Sequence, residues 1–305
     1  MGSGIVVVGS SNTDMIIKLD RIPKPGETVI GGDFSTAAGG KGANQAVAAA
    51  RAGGKLTFIA RMGDDVFGRQ AVEGFVADGI DVGHVLQDSD APSGVALIFV
   101  DERGENSIAV ASGANARLTP KDVLSARDVI TSADVLVTQL ETPLDTVHAA
   151  VNLAFEHGVR VVLNPAPAQP LREEVLRHVS VLTPNETEAE LLTGIEVSND
   201  AAALEAAQRL NALGVEAVLI TLGSRGVFLF DSDHAEVVPG FEVEAVDTTA
   251  AGDVFNGALA VALAEGRPIA EAARFANAAA ALAVTKLGAQ PSAPTREEIQ
   301  GVLAT

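Results

Sequence analysis

Asp247-Thr248-Thr249-Ala250-Ala251-Gly252-Asp253-Val254-Phe255-Asn256-Gly257 is the stretch from which the rest of the chain is read. Ala250, Ala251 and Gly252 leave the main chain almost bare, and an apolar run over 254–264 predicts a helix directly after them. The first N–H groups of a helix lack intrahelical partners and lie at the positive end of its dipole, so they can hold an anion. Asp253 sits in this start, where a carboxylate would repel a phosphate that merely had to be bound. The pairing makes chemical sense if the carboxylate takes a proton from an attacking hydroxyl while the amides of Ala250, Ala251 and Gly252 hold the phosphoryl group being moved.

Around this stretch, short β-branched runs alternate with Ala-rich helical ones. Residues 5–8, 56–59, 135–140, 159–163, 179–182 and 217–222 read as buried strands. Helices are predicted over 43–52, 66–78, 144–157, 186–192 and 201–213, and Gly53, Gly79, Gly158, Gly194 and Gly214 stand just past them as left-handed caps. The fold class is therefore α/β, with a mostly parallel central sheet flanked by helices on both faces. Two segments break the rhythm: 15–19 with 28–34, and 93–100 with 107–111. Both alternate apolar and polar residues, as half-exposed antiparallel ribbons do. They predict a small β-sheet lid on a single domain spanning 1–305, formed by about 15–38 and 93–111. Beyond Gly252 the chain reads as helical over 254–264, 269–286 and 295–303.

Composition narrows the function. The 305 residues carry a net charge of −19 with no basic stripe, which argues against nucleic acid as a partner. An anionic substrate must then meet a local positive site. There is no cysteine, so thiolate metal sites and cysteine nucleophiles are excluded, and no Trp or Tyr on which bases could stack. No apolar run is long enough for a membrane span, and no basic leader precedes residues 5–8, so a cytoplasmic location is expected.

Several polar clusters follow predicted strands or open helices. Gly39-Gly40-Lys41-Gly42-Ala43-Asn44-Gln45 resembles a phosphate loop, but Gly42 stands where such a loop needs Ser or Thr for magnesium. A tight turn explains the glycines; Lys41 and Asn44 are left over and suit a cleft that binds a polyol. Gly9-Ser10-Ser11-Asn12-Thr13-Asp14 occupies the place of a dinucleotide fingerprint without containing one, which disfavours an oxidoreductase. Asn12 and Asp14 are either plain turn residues or ligand contacts in the crevice at a strand's C-terminal end. Glu141, at a strand end, is either a solvated loop residue or a hydroxyl contact. Asn185 and Glu188, in Thr183-Pro184-Asn185-Glu186-Thr187-Glu188, have capping-box spacing and equally suit magnesium held through water. Thr221-Leu222-Gly223-Ser224-Arg225-Gly226 is a turn between strands or a polar loop against a nucleotide.

In their order and number these pieces, with Asn164-Pro165-Ala166-Pro167-Ala168, resemble the ribokinase-like sugar kinases of the PfkB family over almost the whole length. The resemblance implies ATP-dependent phosphorylation of D-ribose at its primary 5-hydroxyl, a small β-sheet lid and a homodimer formed through it. It implies Asp253 as catalytic base, with the amides of Ala250, Ala251 and Gly252 as anion hole. The sugar would lie among Asn12, Asp14, Gly40, Lys41, Gly42, Ala43, Asn44, Glu141 and Asp253. ATP would border Asn185, Thr221, Leu222, Gly223, Ser224, Arg225, Gly226, Gly252 and Asn277, and Glu188 would help place magnesium (Mg2+). Potassium (K+) would lie among Asp247, Thr249, Ala283, Lys286, Gly288 and Ser292, several acting through backbone carbonyls. The alternatives are a kinase for fructose, 2-deoxyribose or a nucleoside, and a sugar-binding regulator without catalysis. A nucleoside would want an aromatic wall that only Phe can supply here, and an intact Asp253 beside an unblocked helix start argues against the regulator.

Overall fold

The structure, a computed structural model, describes residues 4–304. Its strands are β1 (Gly4–Val8), β2 (Asn12–Lys18), β3 (Asp33–Gly39), β4 (Lys55–Gly63), β5 (Asp81–Asp88), β6 (Gly94–Val100), β7 (Asn106–Ala111), β8 (Val135–Thr138), β9 (Arg160–Leu163), β10 (Val181–Leu182), β11 (Ala217–Thr221), β12 (Gly226–Phe230) and β13 (Ala235–Pro239). Nine of them form one sheet in the order β13-β12-β11-β10-β9-β8-β1-β4-β5, parallel from β11 to β5 and antiparallel at β12 and β13. Because side chains alternate along a strand, β1 feeds two cores at once. Ile5 and Val7 pack beneath the helices Lys41–Arg51, Ala251–Ala264 and Ile269–Ala283. Val6 and Val8 pack on the other face, with the helices Leu144–Glu156 and Asp200–Ala212. Among the described residues no helix is long and apolar enough to cross a membrane.

The remaining four strands form a second sheet in the order β3-β2-β6-β7, two antiparallel pairs joined by a parallel β2–β6 seam. One expected lid strand is misplaced in the sequence reading. Residues 28–32 are not in a strand, and β3 is Asp33–Gly39. Gly31 and Gly32 both take positive φ and interrupt the extended chain there, while Ser35-Thr36-Ala37-Ala38 has too little apolar alternation to announce itself. The correction matters for the site. Gly39 pairs with Asn12, so β2 and β3 deliver Asn12, Asp14 and the Gly40–Lys41 junction to one place. Strands β5, β12 and β13, on the sheet's flanks, are also absent from the sequence reading; β5 and β13 expose part of their side chains and lack the buried apolar run that marked the central strands.

Close packing puts the two helices that carry the site against each other. A Cβ at Gly257 would lie 2.6 Å from the Gln45 carbonyl and 2.7 Å from the Ala48 Cβ. Glycine there lets Ala251–Ala264 approach Lys41–Arg51 at backbone distance.

Candidate active site

The helix Ala251–Ala264 starts as its sequence predicts, with one addition. Its N-cap, Ala250, takes the left-handed conformation (φ 60°, ψ 13°) and is the one non-glycine residue with positive φ among those described. That conformation costs a non-glycine residue about 1–2 kcal/mol, so the surroundings must hold it. It turns the chain so that the bare helix start opens into a cleft. The Ala251 N–H donates to the Thr248 carbonyl at 3.2 Å. No carbonyl within the described residues receives the N–H groups of Ala250, Gly252 or Asp253. The space beside Gly252 is open, with nothing within 4 Å of where a Cβ would stand.

Asp253 itself is buried. Its Oδ2 accepts from Asn44 Nδ2 at 2.9 Å and its Oδ1 from Gln45 Nε2 at 3.0 Å. Burial pushes its carboxyl above the usual range; the Lys41 ammonium and the two amide donors pull the other way without cancelling it. The result is a carboxyl that binds a proton more readily than usual, although three partners favour its ionised form.

Asp253 lines a polar cleft of about 190 Å³ with Lys41, Asn185, Glu188, Thr221, Thr248 and the residues Ala250, Ala251 and Gly252. The cleft lies where the parallel strands end, because Asn164, Thr183 and Asn185, and Thr221 follow or close β9, β10 and β11. Burial disfavours the Lys41 ammonium, but the carboxylates of Asp253, Glu141, Glu188 and Asp14 outweigh it and raise its pKa. One ammonium therefore lies in the field of four carboxyl groups.

The expected sugar contacts surround this ammonium. The Asp14 carboxyl is pushed up to about 6, first by burial and then by Glu141 and Asp253. Glu141 Oε2 accepts from Ser10 Oγ at 2.5 Å and from the Lys41 N–H at 2.9 Å. The amides of Gly42 and Ala43 are taken by Ser10, through its Oγ at 3.3 Å and its carbonyl at 2.8 Å. Gly40 has φ 88°, which lets the helix begin hard against Ser11 and Asn12. Asn12 Oδ1 accepts from Asn115 Nδ2 at 2.8 Å. Asn44 Oδ1 is buried without a partner, a vacant acceptor next to the Asp253 carboxyl.

A second cavity of about 640 Å³ adjoins the first through Thr248 and Ala251. Its walls are mainly apolar, with Phe241, Val243, Ala280 and Val284, and Gly223, Ser224, Gly226 and Asn277 border it. Asn277 Nδ2 donates to the carbonyls of Val238 and Pro239, which leaves its Oδ1 for a ligand. Arg225 points elsewhere and pairs with Asp200 at 2.7 Å, and the Leu222 side chain is in the core. Glu188 and Asn185 form a full capping box, the Asn185 N–H donating to Glu188 Oε2 at 2.9 Å and the Glu188 N–H to Asn185 Oδ1 at 2.8 Å. Burial raises the Glu188 carboxyl, against the Asn185 N–H and Lys41.

Behind the turn at Ala250, the Asp247 carboxylate accepts from the Thr249 amide (2.9 Å), the Thr249 hydroxyl (2.6 Å) and the Gly288 amide (2.8 Å). Burial works against its charge, but these bonds prevail and hold its carboxyl below the ordinary range. Ser292 is buried and its hydroxyl donates to the Ala289 carbonyl, the Ala283 carbonyl accepts from the Lys286 amide, and the Lys286 ammonium turns out to Glu298 at 2.8 Å.

The site contains polar residues that the sequence reading did not single out: Ser10, Gln45, Asn115, Gln139, Thr183 and Asn256. Their available signal was weak, a polar side chain in an otherwise Ala-rich helix or just past an apolar strand.

The chain's relatives agree with this chemistry. The family of pfkB family carbohydrate kinases matches residues 3–296. A ribokinase of Haemophilus influenzae is 48 % identical over 298 residues, covering 98 % of this chain and 97 % of its own. The crystal structure of a Thermotoga maritima ribokinase superposes with a TM-score of 0.91 at 41 % identity, covering 99 % of each chain. The structure of an Arabidopsis thaliana ribokinase complexed with ribose and ATP does so with a TM-score of 0.92 at 34 % identity, covering 100 % of each. With the Asp253 carboxyl set among open helix amides and its sequence matched over nearly its full length, the chain belongs to the pfkB family of carbohydrate kinases.

Proposed function

We propose that this chain transfers the γ-phosphoryl group of ATP to the primary hydroxyl of D-ribose, giving ribose 5-phosphate and ADP. The observation that carries the reading is Asp253, a buried proton-hungry carboxylate beside the unengaged amides of Ala250 and Gly252, in a cleft that opens onto an apolar cavity wide enough for a base. Relatives named ribokinase, one of them bound to ribose and ATP, supply the choice of sugar.

In this reading Asn12, Asp14, Gly40, Lys41, Asn44 and Glu141 hold the sugar, and the vacant Asn44 Oδ1 accepts a hydrogen bond from one of its hydroxyls. Asp253 accepts the proton of the attacking hydroxyl as the new O–P bond forms and the bond from the γ-phosphorus to the bridging oxygen of ADP breaks. The amides of Ala250 and Gly252 take the charge on the phosphoryl oxygens. Of the three amides expected there, Ala251 contributes least, since Thr248 already accepts its N–H. Asn185, Thr221, Gly223, Ser224, Gly226 and Asn277 border the nucleotide. Magnesium, held through water near Glu188 and Asn185, would neutralise the phosphates; among the described residues no three acidic side chains gather to ligate it directly. Asp247, with carbonyls around Thr249, Ala283, Lys286, Gly288 and Ser292, fits a weakly hydrated monovalent ion such as potassium, which would brace the turn at Ala250.

The small sheet serves as lid and dimer contact. On it Asp14 and its same-face neighbours turn towards the site, while Met15, Ile17, Leu97, Phe99 and Phe34 share the opposite face. Phe34 is 66 % exposed, an apolar face that a second copy would cover. The reaction suits the cytoplasm, where ATP is available.

The test is ADP release across D-ribose, 2-deoxyribose, fructose and adenosine, for the wild type and Asp253→Asn. D-Ribose should give the highest kcat/KM, and Asp253→Asn should lose at least ~10²–10⁴ in kcat while still binding ribose. Preference for another acceptor, or near-normal turnover by Asp253→Asn, refutes the assignment.

A further inference from the structure

Gln45 is fully buried and does not line the cleft, yet its amide is completely specified. Nε2 donates to Asp253 Oδ1 at 3.0 Å and to Asn164 Oδ1 at 3.1 Å, and Oε1 accepts from Gln139 Nε2 at 2.6 Å. A flipped amide would set oxygen against two acceptors, so only one orientation is allowed. The chain of bonds continues past it. Asn164 Nδ2 donates to the Thr183 carbonyl at 3.0 Å. The Thr183 hydroxyl donates to Asn256 Oδ1 at 2.6 Å, and Asn256 Nδ2 donates to the Gly252 carbonyl at 2.8 Å. That carbonyl belongs to the peptide unit that also carries the Asp253 N–H. The path thus leaves the Asp253 side chain and returns to the Asp253 backbone, crossing the ends of β9 and β10 and both site helices.

We infer that Gln45 is a positioning residue, and that the ring Gln45–Asn164–Thr183–Asn256 fixes the proton-accepting carboxylate and the helix-start peptide as one unit. The inference rests on the reading of Asp253 as the base. The physical argument is orientation. Asp253 has two side-chain torsions, and Asn44 alone, holding one oxygen, leaves the carboxylate free to rotate about that contact. The Gln45 donor on the second oxygen removes that freedom. Closing the ring through Gly252 holds the first turn of the helix in register with the carboxylate, so that the oxygen accepting the proton and the amides facing the phosphoryl group keep one separation. Misplacement by about 1 Å can cost ~10²-fold in rate. The donor also favours the ionised carboxylate, so its loss should make Asp253 harder to deprotonate.

The experiment compares Gln45→Met, Thr183→Val and Thr183→Ser with the wild type and Asp253→Asn, by kcat, KM for ribose, direct ribose binding and the pH profile of kcat/KM. Gln45→Met keeps the length and cannot donate. It should lower kcat by on the order of 10–100-fold, change ribose binding less than about 3-fold, and move the acid limb of the profile to higher pH. Thr183→Val should lower kcat in the same way and Thr183→Ser, which keeps the hydroxyl, should restore most of it. An unchanged pH profile and kcat in Gln45→Met, with Asp253→Asn inactive, overturns the inference while leaving the base assignment intact. Should Gln45→Met fail to fold, equal kcat in Thr183→Val and Thr183→Ser overturns it instead. An active Asp253→Asn refutes the base assignment itself.

Discussion

Replacing Asp14 by Asn should stabilise the sugar-free protein and weaken its grip on ribose. The Asp14 carboxyl is pushed from an ordinary 3.8 to about 6 by burial and by the neighbouring Glu141 and Asp253. It therefore holds its proton more tightly folded than unfolded. Between roughly pH 4 and pH 6 the native state binds more protons than the unfolded chain, so stability falls as pH rises through that window and stays lower above it. At 1.36 kcal/mol per pKa unit the penalty at neutral pH is on the order of 3 kcal/mol. Asparagine has nearly the same shape and no charge to desolvate, and among the described residues no hydrogen bond to the Asp14 carboxyl is lost. At roughly 2 °C per kcal/mol for a chain this large, Asp14→Asn should raise Tm by about 6 °C at pH 7.5. The gain should shrink steadily towards pH 4. Ribose should then raise Tm less than it does in the wild type, because a charged acceptor for its hydroxyls is gone. The assay is thermal unfolding at several pH values, with and without ribose. A gain that is the same at pH 4.5 and 7.5, or a loss at pH 7.5, would show that Asp14 carries no electrostatic strain and refute the reasoning.

Three further outcomes are expected. Ala250→Gly should keep kcat within about 3-fold, since glycine takes the left-handed conformation freely, whereas Ala250→Val should lose on the order of 10²-fold, because a β-branched residue at φ 60° forces the turn open; comparable turnover in the two variants counts against the conformation at Ala250 mattering. Exchange of potassium for tetramethylammonium should lower turnover without changing the fold seen by circular dichroism, and Asp247→Asn should remove most of the difference between the two salts; equal turnover in both salts for the wild type excludes the ion from a bracing role. Gly257→Val should destabilise by at least ~1–3 kcal/mol in denaturant titration, because its Cβ would stand 2.6 Å from the Gln45 carbonyl and prise the two site helices apart; wild-type stability would mean that the helices slide without cost.

Two local features let so acidic a chain take an anionic co-substrate. With a net charge of −19 the protein's overall field opposes ATP. Lys41, raised by four carboxylates, and the helix-start amides are the local positive points that counter it.

The amino-acid sequence determined by itself whatever repeats along the chain or sits in a few consecutive residues. The apolar runs marked β1, β8, β9 and β11, the glycines marked helix ends, and the residues Ala250, Ala251 and Gly252 marked a helix start with a bare main chain beside the Asp253 carboxyl. Only the tertiary structure decided what meets across distance. The strand β3 drew its place from pairing Gly39 with Asn12, since its own residues alternate too little to claim a strand. Gln45 reaches Asp253 over 208 residues of sequence, and the Thr183 hydroxyl reaches Asn256 over 73. Local patterns record which face of an element is apolar, because burial acts on every residue of that face. A single buried hydrogen bond between two elements acts on one atom of each, and it leaves no period in the chain from which it could be read.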